Sequence, residues 1–422
     1  MPDAQPQNQG LCFLPVTKRS VTANTFDFRK QTGRTLLLAI AVLLTFLPFA
    51  DGHCADISPA TTKPPIFRKT GLLKGGGTET AVVKSLRWLK EHQNPDGSWS
   101  QTQPVAMCGL ALLCYLSHGE LANSTEFGPT VEKAMQYLVK AMNDADRYVR
   151  GSCGYPHAIA TYALAEAYGM TKLPMFKEPM EKGLAVIING QQDGGGFDYN
   201  FGKSGRWDLS ISGWNILAMR AGYISGSSNP KIREALQKSR DFLKKTAYAN
   251  GRFGYSQPGI EKDNYHMTAI GTHCLQILGE KDSAEVKEAI NTLAQNVKVA
   301  WADPNRKQTS VVSFECYGWY FCTQAMFYRG GQAWQEWCKM YSREICQGQK
   351  ADGHWDAPPV AFGGKIDIGE MEPYYATTLC NLMLSNLPNF GRRMATSFGM
   401  ELEAQGELKT NRHDGVSTLE IE

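Results

Sequence analysis

The chain has 422 residues and a formal charge of +3, with 44 basic against 41 acidic side chains. That length holds one large domain or two small ones. With so little net charge and no basic block in the body, nothing calls for a nucleic-acid or acidic-surface partner.

Residues 1–34 are polar with scattered bases (Lys18, Arg19, Arg29, Lys30, Arg34), and residues 36–50 read LLLAIAVLLTFLPFA. This apolar run is short for a bilayer span of roughly 20 residues, and it fits the core of a signal peptide behind a basic flank. Residues 1–55 are therefore expected to export the chain, either cleaved near Ala50 or Ala55 or kept as an anchor through 36–50. The body of the chain would then lie outside the cytoplasm, in the periplasm or cell envelope. Residues 56–74, with SPATTKPP at 58–65, read as a linker.

From residue 75 the chain repeats. An amphipathic helix, a Gln- or Asn-containing end, a Gly turn and an aromatic recur in AVVKSLRWLKEHQNPDGSW (81–99), MEKGLAVIINGQQDGGGF (180–197), IREALQKSRDFLKKTAYANGRF (232–253) and WQEWCKMYSREICQGQKADGHW (334–355). Weaker copies lie at 131–155 and 286–301. The turns fall near 97, 154, 195, 251, 303 and 353.

Each turn precedes a second helix richer in small residues, predicted at 105–117, 157–168, 208–221, 263–278, 314–328 and 372–384. Such helices, apolar or small on nearly all sides, are surrounded by other helices. The first helix of each pair keeps a charged face (Lys84, Arg87, Lys90 and Glu91 in the first copy) and belongs outside. An open stack needs polar end repeats, whereas a closed ring does not. The expectation is an all-α fold, an α/α toroid of about six helical hairpins over 75–390, with a polar, disordered tail at 391–422.

Nine of the eleven cysteines fall in this body. Cys108 and Cys114, like Cys316 and Cys322, are six apart, about 9 Å along one helix, too far to bridge. No cysteine or histidine spacing suits a structural zinc ion, and no cofactor is expected.

The segments QNPDGSW (Gln93 to Trp99) and QKADGHW (Gln349 to Trp355) resemble the QW repeat of terpene cyclases, within the prenyltransferase and squalene-oxidase repeat superfamily. The resemblance covers roughly residues 75–390 and implies a ring whose inner helices begin around a central cavity. Residues in their first turns are then the candidate site: Asp208, Asp263, His266, Glu315 and Glu372 as acid–base groups. His157, Trp207, Trp214, Tyr265, Tyr317, Trp319 and Tyr374 are the expected lining, where aromatic faces would suit an apolar ligand and a developing cation. The same acids also suit plain helix capping.

The cyclase acid motif DxDD is absent, since Asp208-Leu209-Ser210-Ile211 keeps only its first acid. The zinc set of protein prenyltransferases is incomplete, with Phe314 where an Asp would stand before Cys316. Three functions remain open: binding or converting an isoprenoid-like apolar small molecule, non-catalytic binding of a protein or glycan in the envelope, and polysaccharide cleavage. Two Gly-rich stretches, 198–207 and 356–371, are placed to cover the mouth or to run over the surface.

Overall fold

The computed structural model describes residues 76–145, 149, 154–259, 265–301, 315–356 and 372–386. The expected leader, anchor, linker and tail lie outside them, as do Asp263 and 357–371 of the second loop. Among the described residues no helix is long and apolar enough to cross a membrane.

Those residues form twelve α-helices: α1 (Gly76–Glu91), α2 (Pro104–His118), α3 (Gly128–Asn143), α4 (Tyr155–Thr171), α5 (Pro174–Gly190), α6 (Leu209–Ile224), α7 (Ile232–Phe242), α8 (Tyr265–Leu275), α9 (Ala284–Asn296), α10 (Glu315–Arg329), α11 (Gly331–Gly348) and α12 (Glu372–Leu384). A π-helical turn extends α7 over Leu243–Ala247 and another extends α8 over Gln276–Glu280. A two-stranded hairpin, β1 (Tyr248–Ala249) and β2 (Arg252–Phe253), turns through Asn250 and Gly251, both at positive φ. That is the Asn-Gly turn chemistry such hairpins select.

Odd-numbered helices are amphipathic. In α7 the buried residues Ile232, Ala235, Leu236, Ser239 and Phe242 recur at three- and four-residue steps, and the bases between them face water. Burying a side chain the size of Ile232, Leu236 or Phe242 contributes about 1.5–3 kcal/mol. Even-numbered helices are buried all round, as in α2 from Ala106 to Ser117. They form a closed inner ring: α2 packs on α4, α4 on α6, α6 on α8, α8 on α10, α10 on α12, and α12 returns to α2.

The turns explain the sequence repeat atom by atom. Gln93 donates from Nε2 to Gly97 O in its own turn (3.1 Å) and to Thr130 O of α3, the next outer helix (3.0 Å). Gln191 does the same with Gly195 O and Ala235 O of α7, at 3.0 and 2.9 Å. Gln349 reaches Gly353 O at 2.9 Å and Ala81 O at 2.8 Å. Since Ala81 belongs to α1, this last copy ties the end of the repeat to its beginning.

The glycine of each turn is equally constrained. Gly97, Gly195 and Gly353 have φ of 95°, 94° and 107°. A Cβ there would lie 2.4, 2.2 and 2.5 Å from the carbonyl oxygens of Lys133, Lys238 and Lys84. The aromatic closes the unit: Trp99 donates its indole N–H to Leu89 O and Trp355 donates to Ile345 O, both at 2.7 Å. Where Phe197 stands in that place, its backbone N–H still meets Ser212 Oγ of α6 at 2.9 Å, as that of Trp355 meets Thr377 Oγ1 of α12 at 3.0 Å. The small polar residues of the inner helices are thus partners for turn backbone that burial would otherwise strand.

Candidate functional site

The first turns of the inner helices lie at one end of the ring, because they touch one another at matching depth. Tyr155 of α4 bonds Ser210 of α6, and His266 of α8 packs on Tyr317 and Gly318 of α10. Tyr317 in turn lies within electrostatic reach of Asp208 and of Tyr375 on α12. This end is the mouth.

Asp208 is its hub. The side chain is wholly buried and caps α6, Oδ1 accepting from Ser210 N at 2.8 Å and from Ser210 Oγ. Oδ2 accepts from the Tyr199 hydroxyl, which also meets that of Tyr255, and Arg206 stands 3.7 Å away. Burial raises the pKa of Asp208, and the donors around it oppose the rise. Burial likewise pushes the phenols of Tyr155, Tyr199 and Tyr255 upward, with the carboxylate adding to it. Geometrically Asp208 is a strut that joins the 198–207 loop, the turn carrying Tyr255 and the start of α6. As a proton donor it would have to give up bonds that it already makes.

Glu315 is buried at the start of α10, and Glu372 is half-buried at the start of α12. Tyr265 opens α8 beneath the Arg252 guanidinium, which lies 5.1 Å from its ring centre. His266 is buried with Nε2 unpartnered against α10, and desolvation lowers its pKa to about 4. It is therefore neutral at ordinary pH.

Below the mouth, aromatic side chains meet across the ring. Trp214 of α6 stacks on Tyr320 of α10 (centroids 6.2 Å, 9° between planes) and meets Phe321 edge-on at 5.6 Å. These contacts skip the intervening α8. Tyr317 packs on Phe321 at 5.0 Å.

Four expected lining residues turn away from this centre. His157 receives the Val149 N–H at Nδ1 and meets Gly183 O of the outer helix α5 at Nε2, 3.1 Å away. It is neutral, its pKa lowered by burial to about 4. Trp207 lies edge-on to Phe242 of α7 and lines an outer hollow of about 150 Å³ with Gln192 and Lys203. Trp319 packs on Trp301, beyond the end of α9, and Tyr374 on Trp88 of α1. The reason is helical phase. Tyr317 and Phe321 share one face of α10, so Trp319 must face the other way.

The network also includes residues that a reading of inner-helix starts overlooks. Tyr199 and Tyr255 sit in turns, and Arg206 closes a loop. Further along the helices, Glu166, Arg220 and His273 are buried in α4, α6 and α8. For Glu166 and Arg220 the signal is a charge inside small-residue runs, in IATYALAEAYG and ISGWNILAMRAG.

Two layers of hairpins, a closed inner ring and a mouth at the inner-helix starts decide the architecture. The fold is an α/α toroid. No family model matches the chain, and no curated protein matches it in sequence. Similar solved structures share the fold at low identity. An inactive variant of the α-1,6-mannanase of Salegentibacter sp. HEL1_6, in complex with α-1,6-mannotetrose, has a TM-score of 0.53 at 11% identity, over 73% of this chain and 98% of its own. A glycosidase in complex with glucose has 0.51 at 9%, over 76% and 99%. A type II terpene cyclase from Scytonema, in complex with geranylgeranyl dihydroxybenzoate, has 0.49 at 12%, over 74% and 98%. The toroid is thus shared with glycan-cleaving enzymes at low identity, which shows the fold and not a reaction.

Proposed function

We propose that the chain is an exported toroid that binds a carbohydrate at the tyrosine-rich mouth of its inner helices and does not cleave it. One observation carries the reading. The mouth gathers phenols, acids and guanidinium groups, while Trp214, Tyr320 and Phe321 meet across the ring below it. A polar mouth rich in tyrosine suits hydroxyl-rich rings better than an extended apolar chain. Asp208 itself is poorly placed to cleave, because glycoside hydrolysis needs one carboxyl free to donate a proton and a second free to attack or to activate water. The export segment at 36–50 supports a ligand met outside the cytoplasm.

The test is calorimetric titration with α-1,6-mannotetraose and a panel of gluco-oligosaccharides, with reducing-end release measured in parallel. Binding without release is expected, weakened tenfold or more in Tyr255→Phe. Release of new reducing ends would favour the cleaving reading and overturn this one.

A second reading, an apolar isoprenoid-like ligand, is favoured by the aromatic centre itself, whose faces offer cation–π contact. Organic extraction of the purified protein followed by mass spectrometry distinguishes it. A stoichiometric bound lipid, with no saccharide binding, would put that reading first.

A further inference from the structure

The inner ring carries a pair of thiols that neither the mouth network nor the turns use. Cys316 lies in the first turn of α10, beside Glu315 at the mouth, and Cys380 lies on α12, the next inner helix. Their sulfur atoms are 4.0 Å apart, and both are free. The two helices pack directly on each other, and the sulfurs would have to approach by about 2 Å to bond. A neighbouring thiol, Cys114, has its own partner in Thr378 O, 3.3 Å away.

We propose that Cys316 and Cys380 are a disulfide site, closed by thiol–disulfide exchange when the folded chain meets a disulfide oxidant. The Cys316 thiolate attacks one sulfur of the oxidant and displaces the other as a thiolate. The Cys380 thiolate then attacks Cys316 Sγ in the mixed disulfide, the Cys316–Cys380 bond forms, and the second oxidant thiolate leaves. One disulfide is gained and one is reduced, so the electrons balance. The bond would fasten the start of α10 to the middle of α12. An exported chain meets such oxidants, as a cytosolic one does not, but the chemistry here depends only on the folded ring.

The test is incubation of the folded, reduced full chain with oxidised glutathione, then alkylation under denaturing conditions and peptide mapping by mass spectrometry. A Cys316–Cys380 linked peptide in most molecules is expected, reversed by dithiothreitol. Cys316→Ser and Cys380→Ala should each abolish it while keeping the wild-type circular dichroism spectrum. If one variant fails to fold, the other and the wild-type map still decide. Both thiols alkylated after oxidation, or Cys316 linked only to some other cysteine, would overturn the proposal. Saccharide binding plays no part in this readout, so its failure and that of the carbohydrate reading are separable.

Discussion

Two neighbouring glycines make opposite predictions. At Gly195, φ is 94° and an added Cβ would lie 2.2 Å from Lys238 O and 2.7 Å from its carbonyl carbon. Backbone cannot swing aside as a side-chain end can, so Gly195→Ala carries two penalties. The left-handed conformation costs roughly 1–2 kcal/mol, and the overpacking costs about 1–3 kcal/mol more. The sum is about 3 kcal/mol, a large part of a typical folding stability of roughly 5–15 kcal/mol. At Gly194 nothing lies within 4 Å of the added Cβ. Gly194→Ala should therefore leave stability within about 1 kcal/mol of wild type, slightly raised if anything. Urea unfolding followed by circular dichroism measures both. Equal losses in the two variants, or a wild-type midpoint for Gly195→Ala, would refute the reasoning that the turn glycine exists to let the next outer helix approach.

Further outcomes follow from the same contacts. Gln349→Ala removes the donor that spans Gly353 O and Ala81 O; it should cost about 1–3 kcal/mol and speed amide exchange in α1 and α12, where the ring closes. His157 and His266 both titrate near 4 in the fold against an ordinary 6.5. Because the unfolded chain binds those protons first, stability is full above about pH 6.5 and falls as pH drops toward 4, by about 3 kcal/mol per histidine. His266→Gln should flatten that acid limb, and an unchanged slope would contradict the assignment. The Cys316–Cys380 bond would close a span of 64 residues, so the oxidised protein should be about 4 kcal/mol more stable than the reduced one on the chain-entropy account. Calorimetry of the two forms checks this.

Much of this was legible in the residues because the repeat is written in local chemistry. Gln93 and Gln349 announce a helix end, Gly97 and Gly353 a left-handed turn, and Trp99 and Trp355 a plug, and each does that in the structure. The inner helices were equally plain, since Ala, Gly, Ser and Thr on every side leave no face for water. That same uniformity hid the site. A helix buried all round gives no sign of which face looks to the centre and which to the outer layer, so Trp214 and Trp319 look alike in sequence and point opposite ways. Tyr199 and Tyr255 were hidden for another reason: they come from turns, and Tyr255 joins Tyr199 only through the ring's packing. Asp208 caps an inner helix, and its pattern in the sequence could not separate a cap from an acid, because both begin a helix.

The most direct test of the carbohydrate reading is a crystal structure of the protein with the best-binding oligosaccharide from the titration panel. Sugar density at the inner-helix mouth, in contact with Tyr199, Tyr255 or Tyr265 and with the glycosidic bonds intact, is the result this account predicts. Density confined to the outer surface, or a lipid between the inner helices in place of Trp214 and Tyr320, would contradict it.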